Sequence, residues 1–325
     1  MGCENVSDRV WDQVISFSLI PTKPERSFTR PTRSLWSKIL CRGGASRHTS
    51  ILLAPGSWFL APGLSALPCG LLIFFFLEPG FRSAEAGSAS TKAEAFLRAY
   101  PNFFSGYKDN TLLFRDGGRI QFDDGRSKTY EELLSNPDPE DELSQNYPTG
   151  SQSYSPPAVN FDPGRYRCAA LFKKMYGENP KEVESHLATI PWLPHSTHAV
   201  VRITRVNGVD RQLEAVSAEL DQLPPEEKKY VLKTGGTFNW RPIAGSEQLS
   251  AHAFGIAIDI DPDYSDYWRW NGSGDHGKLI PYKNRIPHRI VEIFERHGFI
   301  WGGKWYHYDT MHFEYRPELL PQATK

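Results

Sequence analysis

Hydrophobic and polar positions alternate most clearly in the last third of the chain. Ile256, Ile258 and Ile260 alternate with Ala257, Asp259 and Asp261, a period of two that predicts a half-buried strand with the isoleucines on the core. Ala257 and Asp259 would share the other face, and the small Ala257 leaves room there. Gly255 allows a bend or a close backbone approach just before this strand, so His252 need not follow its parity. His312–Arg316 alternates in the same way and predicts another strand. Val200–Val206 reads as a strand, Asn207-Gly208 as a turn, and Val209–Leu223 as a helix with its apolar stripe at Leu213, Val216, Leu220 and Leu223. Leu232–Trp240 predicts a strand interrupted at Gly235-Gly236. Pro287–His297 predicts a helix, with proline at its start and Gly298 just past its end. Phe299–Trp305 completes the set. The expected class is α+β: a small, mostly antiparallel sheet with flanking helices.

Upstream the pattern is weaker. Thr91–Tyr100 and Lys128–Ser135 read as short helices, Pro137–Pro163 as extended loop, and the segment from Tyr166 onward as a helix with Leu171, Met175 and Tyr176 in the core. Three regions follow: 1–86, a basic extension with an export signal or anchor; 87–198, a loop-rich region packing on the C-terminal part; and 199–325, the domain that carries the regular alternation. Lys23–Arg47 carries seven basic residues and one acid, Glu25, and Ile51–Leu77 is free of charge. With Ala84-Glu85-Ala86 as a small-x-small site, this is a secretory signal pattern and predicts a mature protein outside the cytoplasm. The competing reading, a membrane anchor within 51–77, must contend with Pro55, Pro62 and Pro68, which break the run below the ~20 residues of a span.

Composition adds limits. The 325 residues are 39% hydrophobic, enough for a substantial core, and a net charge of −1 without a basic patch argues against a nucleic-acid partner. The four cysteines, Cys3, Cys41, Cys69 and Cys168, match no metal-knuckle spacing, and Cys168 reads as a small buried apolar residue.

The chemistry concentrates in Ser250–Asp259 and Asp309–Glu314. His252, Asp259 and His312 supply an N/N/O donor set that suits one zinc ion per chain, with three protein ligands leaving a position open as in catalytic rather than structural sites. Asp309, three residues before His312, stands where it could move protons or orient a ligand imidazole. Glu314 shares the His312 face of a strand and is a second candidate for either role. Arg241 offers a fixed cation for a developing oxyanion or a substrate carboxylate, or is a surface arginine. Ser250 could bond substrate or fix the ligand loop. Trp301, Trp305 and Tyr308 either line a substrate cleft or fill the core.

Ser-x-His-x-x-Gly-x-Ala-x-Asp at 250–259, followed by Trp-x-x-x-Asp-x-x-His-Phe-Glu at 305–314, resembles the VanY-type D-alanyl-D-alanine carboxypeptidases and L-alanyl-D-glutamate peptidases, zinc enzymes that share a fold with the Hedgehog signalling domain. The likeness extends from about Val200 to Tyr315 and includes Gly235–Arg241 and His297–Gly303. It implies that His252, Asp259 and His312 bind zinc, that Asp309 is the general base, that Arg241 stabilises the transition state, and that the substrate is a peptidoglycan stem peptide cut at a D-amino-acid-containing bond. Carboxypeptidases of the group often carry Glu at the base position. Asp309 is closer to the endopeptidase branch, so D-Ala-D-Ala carboxypeptidase and L-Ala-D-Glu endopeptidase both stand. The Hedgehog relatives supply the alternative of a non-catalytic, zinc-stabilised cell-wall-binding module.

Overall fold

A two-residue turn, Asp109-Asn110, opens the described architecture's first sheet. Both residues have positive φ (48° and 57°), the conformation of a tight hairpin turn that matches strand twist. The computed structural model describes residues 81–150, 156–243, 245–271 and 279–321. The basic extension, the charge-free run of 51–77, Cys3, Cys41 and Cys69 lie outside these residues. All described residues fall within one compact unit, Ile73–Lys325. Among them, no helix is long and apolar enough to cross a membrane.

The described elements are, in order, α1 (Phe81–Ala99), β1 (Phe104–Lys108), β2 (Thr111–Phe114), β3 (Arg119–Gln121), α2 (Tyr130–Ser135), α3 (Ala169–Tyr176), α4 (Pro180–Ser185), β4 (Leu187–Trp192), β5 (Ala199–Thr204), α5 (Val209–Leu220), α6 (Pro225–Lys228), β6 (Thr234–Gly236), β7 (Ala257–Ile260), α7 (His288–Arg296), β8 (Phe299–Trp301) and β9 (His312–Tyr315). They form three antiparallel sheets: β1-β2-β3, β4-β5, and a four-stranded sheet in the order β6-β7-β9-β8. The class is mixed α+β, as the alternation predicts.

Several boundaries differ from the sequence expectation. The helix expected from Thr91 begins at Phe81 and runs through the small-x-small site at 84–86. The β1–β3 sheet and β4 are additional. Pro191 lies inside β4, which it can do because β4 has a single neighbour and offers proline an unpaired side. The β4–β5 hairpin spans the expected regional boundary at 198/199. The strand expected over Leu232–Trp240 is cut to three residues, because the paired glycines bend it away after meeting Asp259. A Cβ on Gly235 would stand 2.9 Å from the Asp259 Cβ, so only glycine lets β6 approach that residue. Phe299–Trp305 is a strand only to Trp301 and then turns through Gly302–Lys304.

The core is continuous from Ala93 and Phe96 on α1, through Leu171 and Phe172 on α3 and Leu213 and Val216 on α5, to Phe294 and Phe313. α7 fixes the strand that matters most for the site. Ile290, Val291 and Phe294 are buried, and the Phe294 ring stacks on Phe313 with centroids 3.8 Å apart. Burying each such side chain contributes about 1.5–3 kcal/mol. With Phe313 held on the core side of β9, strand alternation turns His312 and Glu314 to the opposite face.

Candidate active site

The site is built on the β7/β9 register. Asp259 pairs directly with His312, and Ala257 with Glu314, so these four residues share one face of the sheet. His252 comes from a single 3-10 turn, Ala251–Phe254. Ser250 caps that turn, its hydroxyl accepting from the His252 N–H at 3.3 Å, and Gly255 ends it in the left-handed region at φ 65°. That left-handed residue lets the chain leave the turn and enter β7 with His252 above Asp259.

The three ligand candidates converge. His252 Nε2 lies 3.1 Å from Asp259 Oδ1 and 3.1 Å from His312 Nδ1, and His312 Nδ1 lies 3.0 Å from Asp259 Oδ1. Each imidazole is anchored through its other nitrogen. His252 Nδ1–H donates to the Thr237 carbonyl, and His312 Nε2–H donates to Glu314 at 3.0 Å. These anchors leave a lone pair on each inward nitrogen. Three acceptors then face one another, which is favourable only around a cation or a proton held among them. The group could hold a metal ion.

The electrostatics agree with this arrangement. Burial alone would raise the Asp259 carboxyl, but His252 and His312 hold it well below the usual carboxylate range. Burial opposes charge on His312, but its bonds to Asp259 and Glu314 raise it to about 10. Glu314 is fully buried. Its carboxylate is held below the usual range, against the effect of burial, by Arg167, His312 and Arg316. Arg167 Nε bonds Glu314 at 3.2 Å, Arg167 Nη2 makes a second bond to it, and Arg316 Nη1 bonds it at 3.2 Å. Glu314 therefore stands behind His312 and grips its ring.

Asp309 lines the same cleft, of about 290 Å³, as the three ligand candidates. The chain turns tightly between them: the His312 N–H reaches the Asp309 carbonyl at 3.3 Å. Asp309 Oδ1 is buried and has no hydrogen-bond partner among the described residues. Burial, then the nearby Asp259 charge, pushes its carboxyl up to about 6. An unpartnered buried carboxyl oxygen is costly unless a ligand or water meets it.

Arg241 and Ser250 also line the cleft. The Arg241 side chain is exposed, and its one hydrogen bond among the described residues runs from Nη1 to the Pro242 carbonyl at 3.5 Å. Its charge is thus free to meet a ligand. The structure corrects the placement of Trp301. It is fully buried in the core, its indole N–H donating to the Thr310 carbonyl at 2.9 Å, and it is not part of the cleft wall. Tyr308 is likewise buried, whereas Trp305 does line the cleft. Cys168, at the N-cap position of α3, is a free, buried thiol that makes no capping bond, and burial raises it to about 12.

Sequence reasoning missed a second wall. Arg165, Arg167, Trp268, Trp270 and His307 line the cleft as well. Asp162 holds His307, and Arg165 pairs with Asp162 at 3.3 Å. The available signal is the i, i+2 spacing of His307 and Asp309.

One comparison with known proteins bears on this stretch. Residues 244–315 match the family model described as D-alanyl-D-alanine carboxypeptidase, the family that the motifs resemble. The match spans His252, Asp259, Asp309 and His312 and begins just after Arg241. Neither the curated proteins nor the solved structures yield a match.

Proposed function

We infer that the protein is a zinc-dependent peptidase that hydrolyses peptidoglycan stem peptides at a D-amino-acid-containing bond. The observation that carries this reading is the pairing of a converged His252–Asp259–His312 donor set with the unpartnered Asp309 oxygen in one cleft. The donor set fits zinc. Bonds of about 2.0–2.1 Å to a tetrahedral ion separate ligand atoms by about 3.3 Å, close to the 3.0–3.1 Å found here. Zinc at this position would polarise the scissile carbonyl and make a hydroxide nucleophile available near neutral pH.

The chain's own residues supply the rest. Asp309 takes a proton from the attacking water. The free guanidinium of Arg241 meets the developing oxyanion or a substrate carboxylate. Glu314, clamped by Arg167 and Arg316, keeps the His312 ring in place. Ser250 fixes the turn that carries His252, which supports its loop-fixing role over direct substrate contact. A non-catalytic binding module would have no use for an unpartnered buried carboxyl beside the donor set, so Asp309 supports the enzyme reading. The Hedgehog-type fold and export to the periplasm or wall belong to the same proposal, supported by the family match and by the export pattern within residues 1–86.

The test is metal analysis followed by incubation with muropeptides. About one zinc per chain and chelator-sensitive release of D-alanine or another amino acid are expected. Zinc-loaded protein that leaves muropeptides intact contradicts the reading.

A further inference from the structure

We propose that His307 is a second proton-transfer group of this cleft, giving a proton to the leaving amine, and that Asp162 and Tyr130 position it. The proposal rests on the peptidase reading. The chain bends and turns through Trp305–His307 and reaches an isolated bridge at Asp309, and His307 and Asp309, two residues apart, both line the cleft while Tyr308 between them is buried. The wall beyond Asp309 therefore ends in an imidazole.

That imidazole is held from behind by a built cluster. Asp162, fully buried, accepts from His307 Nδ1–H at 2.7 Å through Oδ2 and from the His307 backbone N–H at 2.9 Å through Oδ1. The Tyr130 hydroxyl donates to the same Oδ2 at 2.5 Å and lies 2.9 Å from His307 Nδ1. Arg165 Nη1 reaches both Asp162 Oδ2 and the Tyr130 oxygen at 3.3 Å. The Asp162 amide is itself tied to Gln145 Oε1 at 2.7 Å. Tyr130 stacks on the His307 ring, and Trp268 meets it edge-on at 4.8 Å. Because the tyrosine proton goes to Asp162, Nδ1 must carry its own proton. Nε2, on the free edge of the ring, has no hydrogen bond among the described residues. A buried carboxylate that fixes the far nitrogen of a cleft histidine sets ring orientation and tautomer for proton transfer at the near one.

The step balances with water as the only co-reactant. Water adds its oxygen to the amide carbon and passes a proton to Asp309. That proton passes from Asp309 through solvent to the unprotonated Nε2 of His307. The C–N bond then breaks with its electron pair going to nitrogen, and nitrogen takes the proton from Nε2, leaving carboxylic acid and amine, which settle their remaining proton between them. Two groups thus divide the work that Asp309 alone would otherwise perform in sequence.

A leaving-group comparison tests this. A stem-peptide amide is set beside a carboxyphenyl ester of the same acyl portion, whose phenolate departs without protonation. His307→Gln, with zinc content unchanged, should lose on the order of 10²-fold or more in kcat on the amide, and at least tenfold less than that on the ester. Asp162→Asn and Tyr130→Phe should show the same asymmetry at smaller size, and they carry the comparison if His307→Gln fails to hold zinc. The histidine ring nitrogens, read by NMR, should show His307 protonated at Nδ1 in the wild type. Equal losses on amide and ester, or no loss on the amide, overturn the role. A zinc-loaded wild type that cleaves neither substrate overturns the peptidase reading and the role with it.

Discussion

Asp259 and His312 sit directly opposite one another on β7 and β9, and Asp259 Oδ1 and His312 Nδ1 stand 3.0 Å apart. Two strands separated by about fifty residues of chain are locked in register by this one face, and His252 closes the triangle from a capped turn. His252→Ala should lose zinc affinity by more than the ~10–100-fold expected when only an outer partner of a ligand is removed. Glu314→Gln, which removes the charge behind His312, should retain zinc with an affinity about 10–100-fold weaker. Equilibrium zinc titration against a competing chelator gives both values. Full zinc binding by His252→Ala would remove it from the ligand set.

Asp309 is not needed to complete the donor set. Asp309→Ala should keep zinc and lose on the order of 10²–10⁴ in turnover. The pH profile follows from the raised carboxyl of about 6. The base works only when ionised, so kcat/KM should fall as the pH drops through about 6, or somewhat lower once a nearby cation favours the ionised form. The residual activity of Asp309→Ala should lack that acid limb. Near-normal turnover in the variant would leave Asp309 as a bystander.

Arg241 is the cleft guanidinium that meets no carboxylate among the described residues. Arg165 and Arg167 are paired with Asp162 and Glu314. Arg241→Lys should still cost activity, because the planar fork is lost. The pattern of the loss separates its two roles. A fall in kcat on the order of 10²-fold places it on the developing oxyanion, whereas a raised KM at unchanged kcat places it on a substrate carboxylate. Steady-state kinetics of Arg241→Lys and Arg241→Ala with one stem peptide decide between them.

Much of the ligand geometry was legible because it is local or strand-periodic. Alternation fixes which face Asp259 and His312 occupy, and Gly255 marks the bend that brings His252 to them. The second cleft wall was not legible for the opposite reason. Arg167 sits 147 residues from Glu314 in the chain, and nothing between Asp162 and Arg167, where the sequence passes from expected loop to expected helix, announces that its arginines reach a distant strand. Trp301 was ambiguous because an indole suits a cleft or a core equally. Its N–H bond to Thr310, a long-range outcome of the turn at Gly302–Lys304, decides for the core. The β1–β2 hairpin carried a readable sign in Asp109-Asn110, but its short strands lack a clean apolar alternation.

Export sets where such an enzyme would meet its substrate. The charge-free run to Leu77 and the Ala84-Glu85-Ala86 site predict a mature chain that begins near Gly87. N-terminal sequencing of protein from the native host reads this directly. A mature chain that retains Leu71–Leu77 would indicate an anchored form instead.

The central claim is hydrolysis beside a D-residue, and matched stem peptides that differ only in the configuration at the cut test it most directly. An L-residue in place of the D-residue directs its side chain to the wrong side of a cleft whose walls are fixed by Trp305, His307 and Arg241. Specificity is a difference in transition-state binding, so the change should lower kcat/KM and not binding alone. With the same zinc-loaded preparation, the account predicts cleavage of the D peptide, abolished by chelator and restored by zinc, with the L peptide much slower. Equal rates for the two peptides would contradict it.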